Sequence, residues 1–397
     1  MSTGALNGVK VLDLTRVLAG PYCSMMLADM GADVIKIEMP GRGDDSRANF
    51  PRENGESYYF MNLNRNKRGM TLNLKSPEGK ALFLELVKKA DIVLENYRPG
   101  VMERLGLGYE DLKKVNKGII YGCVSGFGHY GPYASRPGYD IIGQAMSGMM
   151  SSTGWPQTGP TRCGTAISDV LGGISLCSGV LAAYISRLKT GEGQKVDVAL
   201  VDSTVSALEI INQIYLATGR IPEPIGNRYE AAYPYDSFAA ADGLMVIGAG
   251  NDKLYGILCN WMGRPDLIDD PRYAKNVDRV ANHEELKVII EDHLRTISVK
   301  DAVEQLLAAG CPAAPIYNIK QVTEDEHIAG AREMFVEMEH PAVGKLKVTG
   351  NQIKLSGTPV RFDRPAPLLG QHTEEILEEV LGMSREEVEA LREKKAL

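Results

Sequence analysis

Apolar and polar positions alternate over residues 9–14 (VKVLDL), and that period of two predicts a strand. The turn Ala19-Gly20-Pro21 follows, and residues 22–30 then read as a helix closed by Gly31, a residue type suited to the position after a helix end. Residues 32–37 (ADVIKI) give a second strand. Strand, short helix, strand is a βαβ unit, and it predicts a parallel sheet. The unit has no GxGxxG, so a dinucleotide fingerprint is absent. The pattern recurs with strands at 70–74, 91–95 and 118–125, and Pro77 opens a helix running to Ala90. A glycine-rich loop, 126–131, follows the third of these strands. Helices are predicted at 139–150 and 170–188, a strand at 194–199, and a further helix from Leu200. Residues 1–220 therefore read as a large α/β domain of doubly wound, Rossmann-like character.

The pattern changes after that. Residues 218–235 are rich in Gly, Pro and Tyr and read as a linker. A strand-turn-strand signal over 236–249 centres on Asp242-Gly243. Helices follow near 253–261, 282–296 and 299–309, which makes 221–325 a smaller α+β domain. Residues 326–397 contain β-type segments over 334–355, with a turn at Val343-Gly344, and one amphipathic helix over 373–395.

Composition narrows the function classes. The chain has 397 residues, 44% hydrophobic and 24% charged, which suits a folded globular protein of two domains. The polar start MSTGALNGVK predicts no signal peptide. No apolar run is expected to reach the length of about 20 residues that spans a membrane, and 170–185 reads as a buried helix. A formal charge of −7 argues against a general nucleic-acid binder but leaves room for a local basic patch. The six cysteines form no CxxC pair, which predicts reduced thiols, a cytoplasmic location and no zinc.

Three groups of residues are candidates for chemistry. Asp169 falls where an irregular segment enters an apolar helix, in GTAISDVLGG (164–173). Ser168 or Asp169 serves there either as a helix cap or, in the case of Asp169, as a nucleophile. A carboxylate at a helix N-terminus is favoured as an anion, Gly172 and Gly173 allow close approach, and such a group can attack an acyl carbonyl to form a mixed anhydride. Arg65, Lys67, Arg68 and Lys75 form a basic cluster, and Asn96, Tyr97, Arg98 and Arg104 follow the strand 91–95. These residues either hold phosphates beyond the strand ends or form a solvated surface. The loop Gly248-Ala249-Gly250-Asn251 is either a simple turn or a donor of N–H groups to an oxyanion.

Taken in order, several stretches resemble the class III CoA-transferases, the family of formyl-CoA transferase and carnitine CoA-transferase. They are DLTRVLAGPYCSMMLADMGADVIKIE (13–38), NRNKRGMTLNLKSPEGK (64–80), VLENYRPGVMERLGLGY (93–109), SGFGHYGPYASRPGYD (125–140), TAISDVLGG (165–173), KTGEGQKVDVAL (189–200), GAGND (248–252), MEHPAVGKL (338–346) and PLLGQHTEEIL (367–377). The resemblance implies a catalytic set of Asp169 as nucleophile with Tyr139, Gly248 and Gly250. It also implies contacts to coenzyme A, as acyl-CoA substrate, from Val17, Leu72, Lys75, Asn96, Tyr97 and Arg104, with no metal. The family's partners are small carboxylic acids and a second copy of the chain, in a homodimer whose chains thread through each other; neither nucleic acid nor membrane is implied. Its large domain is built from both chain ends, with the small domain inserted. Leu18 stands where the formyl-CoA branch has Gln, and Gly138-Tyr139-Asp140 stands where the related α-methylacyl-CoA racemases have Gly-His-Asp. A tyrosine, with an ordinary pKa of about 10, is a poor proton shuttle, which favours transfer over racemisation. DLTRVLAGP, MEHPAVGK and PLLGQHT look most like the branch that uses succinyl-CoA and dicarboxylates. The alternatives are a racemase-like epimerase and a non-catalytic CoA-binding protein.

Overall fold

The computed structural model describes residues 4–397. The chain divides into two compact units. One comprises the chain up to Met150 together with Arg162–Arg220 and Gly330–Leu397, and the other comprises Ser151–Thr161 and Ile221–Ala329.

The larger unit is organised by six parallel strands: β1 (Lys10–Asp13), β2 (Asp33–Glu38), β3 (Arg68–Thr71), β4 (Ile92–Glu95), β5 (Ile120–Ser125) and β6 (Lys195–Ala199). Their spatial order is β3-β2-β1-β4-β5-β6, the Rossmann order, with its reversal between β1 and β4. Successive side chains point to opposite faces. Leu12, Ile35, Val93 and Tyr121 face one core, with helix α1 (Ala19–Asp29) elsewhere; Val11, Val34, Ile92 and Ile120 face α1 and the later helix α4. Helix α2 (Pro77–Val87) covers the first face, with Phe83 and Leu86 fully buried. After α3 (Asp140–Met146) comes the long α4 (Ile167–Thr190), then α5 (Leu200–Ala207) and α6 (Glu209–Thr218).

The second unit has its own core around Phe238, Met245, Tyr255 and Leu286. Its antiparallel strands β7 (Tyr235–Ala240), β8 (Gly243–Gly248) and β9 (Ala313–Pro315) are backed by α7 (Asp252–Trp261), α8 (His283–Leu294) and α9 (Val299–Ala309). The C-terminal part of the larger unit adds a hairpin, β10 (Phe335–His340) with β11 (Gly344–Thr349), and two helices, α10 (Thr373–Leu381) and α11 (Arg385–Glu393). Ile376, Leu377 and Val388 of these helices join the core on the α2 face.

Several local expectations are corrected. Ala19-Gly20-Pro21 is the first turn of α1, not a turn before it. A proline fits there because first-turn N–H groups have no intrahelical acceptor. The predicted helix 139–150 breaks at Gly148, whose φ of +95° no helix accommodates, and the helix from Leu200 breaks after Ala207. The single helix 373–395 is two: Gly382 ends α10 in the left-handed conformation, and Ser384 with Glu387 forms a capping box that restarts the chain as α11. Helix α4 also departs from expectation, being long and apolar enough by composition to cross a membrane. In this fold it is a packing helix. Leu176, Cys177, Val180 and Ala183 are buried against the sheet, while Ile185 and Leu188 are exposed. A Cβ on Gly173 would sit 2.7 Å from the Ala19 carbonyl oxygen, so this glycine is what lets α1 lie against α4.

Charged side chains hold the interior beside the sheet. Asp13, at the end of β1, is fully buried and accepts from the ammonium of Lys67 at 3.0 Å and from the hydroxyl of Ser24 at 2.6 Å. Lys67→Ala should leave that carboxylate buried without its cation and lower stability by about 3–5 kcal/mol. Thermal melting followed by circular dichroism should show a clear drop in midpoint, and an unchanged midpoint would mean that Asp13 does not depend on Lys67.

Candidate active site

The carboxyl edge of the sheet opens at the reversal between β1 and β4, where ligands of open α/β sheets bind. Two loops meet there. Asn96, just past β4, accepts from Arg16 N–H at 2.8 Å and donates to Arg16 O at 2.7 Å, so one amide locks the loop after β1 to the loop after β4. The Arg16 guanidinium lies 5.2 Å from the Tyr97 ring centroid. Val17 adopts φ +67°, a left-handed conformation rare for a β-branched residue, and its N–H donates to Asp44 Oδ1 at 3.1 Å.

A cavity of about 190 Å³ at this edge is lined by Val17, Asn96, Tyr97, Tyr139 and Asp169. A second, of about 200 Å³, is lined by Leu72 and Lys75 with Arg42 and Asp44, and shares Arg16 and Tyr97 with the first. The structure thus gathers seven of the ten sequence-derived site residues. Arg104 is exposed on the short helix Val101–Leu105, whose two terminal residues line the second cavity while Arg104 itself does not. Gly248 and Gly250 belong to the other unit. There the expectation of a donor loop needs correction at Gly248: its N–H already donates to Pro312 O at 2.9 Å, and Ala249 N–H donates to Pro234 O at 2.7 Å. Gly250 N–H has no hydrogen-bond partner among the described residues.

Asp169 is the third residue of α4, inside the helix and not its cap. The cap position is Ala166, with no side-chain hydrogen bond. The capping is done from elsewhere. Asp140, at the start of α3, accepts from Ser168 N–H at 2.8 Å through Oδ1 and from Gln144 Nε2 at 2.8 Å through Oδ2. Ser168 is buried, and its Oγ accepts from the Thr204 hydroxyl at 2.8 Å. This places a second carboxylate beside Asp169. Burial first, and the Asp140 charge second, push the Asp169 carboxyl up to about 7, against the opposite pull of the helix N-terminus. The half-buried Tyr59 sits in the same neighbourhood. Burial and then the Asp169 carboxylate push its phenol up to about 12.

Asp140 and Tyr59 are residues that sequence reasoning missed. Asp140 was visible only as the third member of Gly138-Tyr139-Asp140, and nothing local marks it as the remote cap of α4. Most of the basic cluster has a different role from both expectations. Arg65 and Lys67 are buried on Asp29 and Asp13, and Arg68 is buried on Asp33 with Glu375 and Glu379. Those three are held in ion pairs with buried or partly buried carboxylates; of the cluster, Lys75 lines the cavity at the carboxyl edge, while Arg68 borders a separate one with Arg361 and Arg364.

The family model described as CoA-transferase family III matches residues 6–373. The chain belongs to this family. Among curated proteins, it is 42% identical over 370 residues to acetyl-CoA:oxalate CoA-transferase of Acetobacter aceti, covering 93% of this chain and 94% of that one. It is 40% identical to succinate–glutarate CoA-transferase of Agrobacterium fabrum, with 96% of both chains covered. It is 39% identical to succinyl-CoA:glutarate CoA-transferase of Mus musculus, with 97% and 88% covered. Among solved structures, a CAIB/BAIF family protein from Brucella suis superposes with a TM-score of 0.84 at 36% identity, covering 96% of this chain and all of that one. The chain is therefore a CoA-transferase, and CoA thioesters are its substrates.

If Asp140 helps to raise Asp169, Asp140→Asn should lower the Asp169 titration midpoint below about 7. Carboxyl-carbon NMR of the labelled protein reads this directly, and a midpoint that does not move would assign the whole effect to burial.

Proposed function

We propose that this family III CoA-transferase moves CoA from succinyl-CoA to a dicarboxylic acid through covalent intermediates on Asp169. One observation carries the reading: the Asp169 carboxylate lines the same cavity as Val17, Asn96 and Tyr97, at the strand-order reversal. The names of relatives that use succinyl-CoA and glutarate, at about 40% identity over nearly whole chains, support the choice of donor and acceptor.

In the proposed cycle, the Asp169 carboxylate attacks the thioester carbonyl of the donor. The C–S bond breaks, CoA thiolate leaves, and an aspartyl–acyl anhydride remains. The thiolate attacks the aspartyl carbonyl, which releases the donor's carboxylate and leaves an aspartyl thioester. The acceptor carboxylate attacks that thioester and expels the thiolate again. Attack of the thiolate on the acceptor's acyl carbon then yields the new acyl-CoA and regenerates Asp169. Val17, Leu72, Lys75, Asn96, Tyr97 and Arg104 are assigned to CoA, and Tyr139 to the wall beside the reacting carbonyl. Attack requires the ionised carboxylate, so turnover rises with pH through about 7.

We further propose an interlocked homodimer, with the large domain built from both chain ends and the small one inserted. In a single chain Ile185, Leu188, Val205, Tyr215 and Leu216 of α4, α5 and α6 are exposed, and a second copy would bury such surface. The six free thiols suit a reducing cytoplasm.

Asp169→Ala should abolish transfer while CoA binding persists, and hydroxylamine added with succinyl-CoA should convert Asp169 of the unsubstituted protein to its hydroxamate, seen by peptide mass spectrometry. Full activity in the variant would sink the covalent cycle. Light scattering should give twice the 43.3 kDa of one chain, without dissociation on dilution; a monomer would refute the interlocked assembly.

A further inference from the structure

Glu95 is the last residue of β4 and is 1% exposed. Its carboxylate is surrounded by donors. Oε2 accepts the backbone N–H of Tyr97 at 2.7 Å, and Oε1 accepts the hydroxyl of Tyr121 at 3.1 Å. His129, from the loop after β5, brings Nε2 to 3.6 Å from Oε1, and that nitrogen is buried with no hydrogen-bond partner among the described residues. The imidazole's other nitrogen, Nδ1, lies 3.0 Å from Lys195 Nζ of β6. An ammonium has only donors, so Nδ1 is the acceptor and the neutral ring carries its proton on Nε2, aimed at Glu95. The donor atoms of Glu95, Cys123 and His129 lie within 4.8 Å of one another, a spacing that fits a metal ion as well. With its proton on Nε2, however, His129 offers the carboxylate a hydrogen and a cation no lone pair. Cys123 is held as a thiol, because burial and then Glu95 raise it far above the ordinary range.

We propose that Glu95 is a positioning residue for acyl-CoA binding: its ionised carboxylate holds the Tyr97 backbone, and so the Asn96–Tyr97 wall of the cavity, in the binding geometry. The inference rests on the reading of this cavity as the CoA site. Tyr97 lines both cavities, and its neighbour Asn96 is the amide that locks the two loops, so the bond from Glu95 fixes the backbone that shapes both cavities. The titratable groups facing Glu95 are Tyr97, Glu103 on the helix Val101–Leu105, Tyr121 and Cys123 on β5, His129, and Lys195 and Asp197 on β6. Burial is the largest influence on Glu95 and pushes it up to about 7, and the Tyr97 and Tyr121 hydrogen bonds oppose the rise. The anion accepts from its donors more strongly than the neutral acid does. Raising the pH through about 7 therefore tightens the wall, and lowering it loosens the wall.

Calorimetric titration with CoA itself, from about pH 6 to about pH 8, tests this in Glu95→Gln and the unsubstituted protein. The amide can still accept from Tyr97 N–H through its oxygen and donate to the Tyr121 hydroxyl, but it carries no charge at any pH, so the charge-assisted bond to the Tyr97 backbone is lost. At the upper end the variant should bind CoA about three- to tenfold more weakly, and the gap should narrow toward the lower end as Glu95 takes up its proton. In turnover the loss should appear in KM for acyl-CoA and not in kcat. The 3′-phosphate of CoA titrates in this range too, but equally for both proteins, so the ratio of their affinities isolates Glu95. A ratio that stays constant across the range, or equals one throughout, overturns the proposal. If Glu95→Gln does not fold, Tyr121→Phe serves instead. It removes one donor from the anion and should move the midpoint of the binding profile upward, and an unmoved midpoint overturns the proposal equally. CoA binding needs no chemistry at Asp169. Failure of hydroxylamine trapping would thus remove the covalent cycle and leave this result to be read by itself.

Discussion

The carboxylate of Asp13 carries the carboxyl edge of the sheet. It sits at the end of β1 with no exposure to solvent, and one oxygen holds both the N–H and the hydroxyl of Thr15. The other oxygen holds Ser24 of α1 and Lys67. Burial works to raise this carboxyl, and the charges of Lys67 and Lys36 with the two hydroxyls outweigh it and keep it ionised below the ordinary range. Lys36 in turn holds the Thr15 carbonyl and the carboxylate of Asp44 at 2.7 Å, and Asp44 holds Val17 in its left-handed conformation. The loop between β1 and α1 is thereby fastened at three successive points. Buried ion pairs of this kind add little net stability, because desolvation offsets their attraction, but the loss of one partner is costly. Their contribution here is geometric, in giving the loop beside the cavity one conformation.

A second constraint acts at the start of α4. A helix N-terminus favours an anion, and burial with a neighbouring carboxylate disfavours one. At Asp169 the second pair of effects prevails, and the carboxyl titrates near neutrality instead of near the ordinary range for an aspartate. The neighbouring carboxylate, Asp140, also caps the helix through Ser168, so one side chain both helps to position Asp169 and adds to the rise that burial mainly causes. A carboxylate raised in this way is a stronger base and a stronger nucleophile once ionised than an exposed one. Acyl transfer among carboxylic acids requires that balance, because the attacking group must be displaced again in each half of the cycle.

Much of this was legible in the residue order. The strands are short apolar runs bounded by turn residues, and the signal is local, so five of the six parallel strands lie within two residues of their predicted bounds. The motif around Asp169 and the run Asn96-Tyr97, far apart in the chain, contribute to the lining of one cavity. Helix breaks were less legible. Gly148 and Gly382 interrupt otherwise continuous helical periodicity, and an isolated glycine gives no local sign of whether it bends, ends or merely weakens a helix. Arg65, Lys67 and Arg68 look like a basic patch because the residues that neutralise them are 30 or more positions away. Gly248 looks like a free donor until the strand geometry presents Pro312 O to it.

By itself, the sequence determined the α/β class, the family, and the place of Asp169 at the entry to a long helix. Each of these follows from spacing along the chain, which is a property of neighbours. The tertiary structure decided which charges are buried, which carboxylate caps α4, and why Glu95 lies among donors while Asp169 lies beside a like charge. Proton affinity depends on the groups within a few ångströms and on the water excluded from them. Those groups come from strands and loops distant in the chain, and only the folded arrangement brings them together.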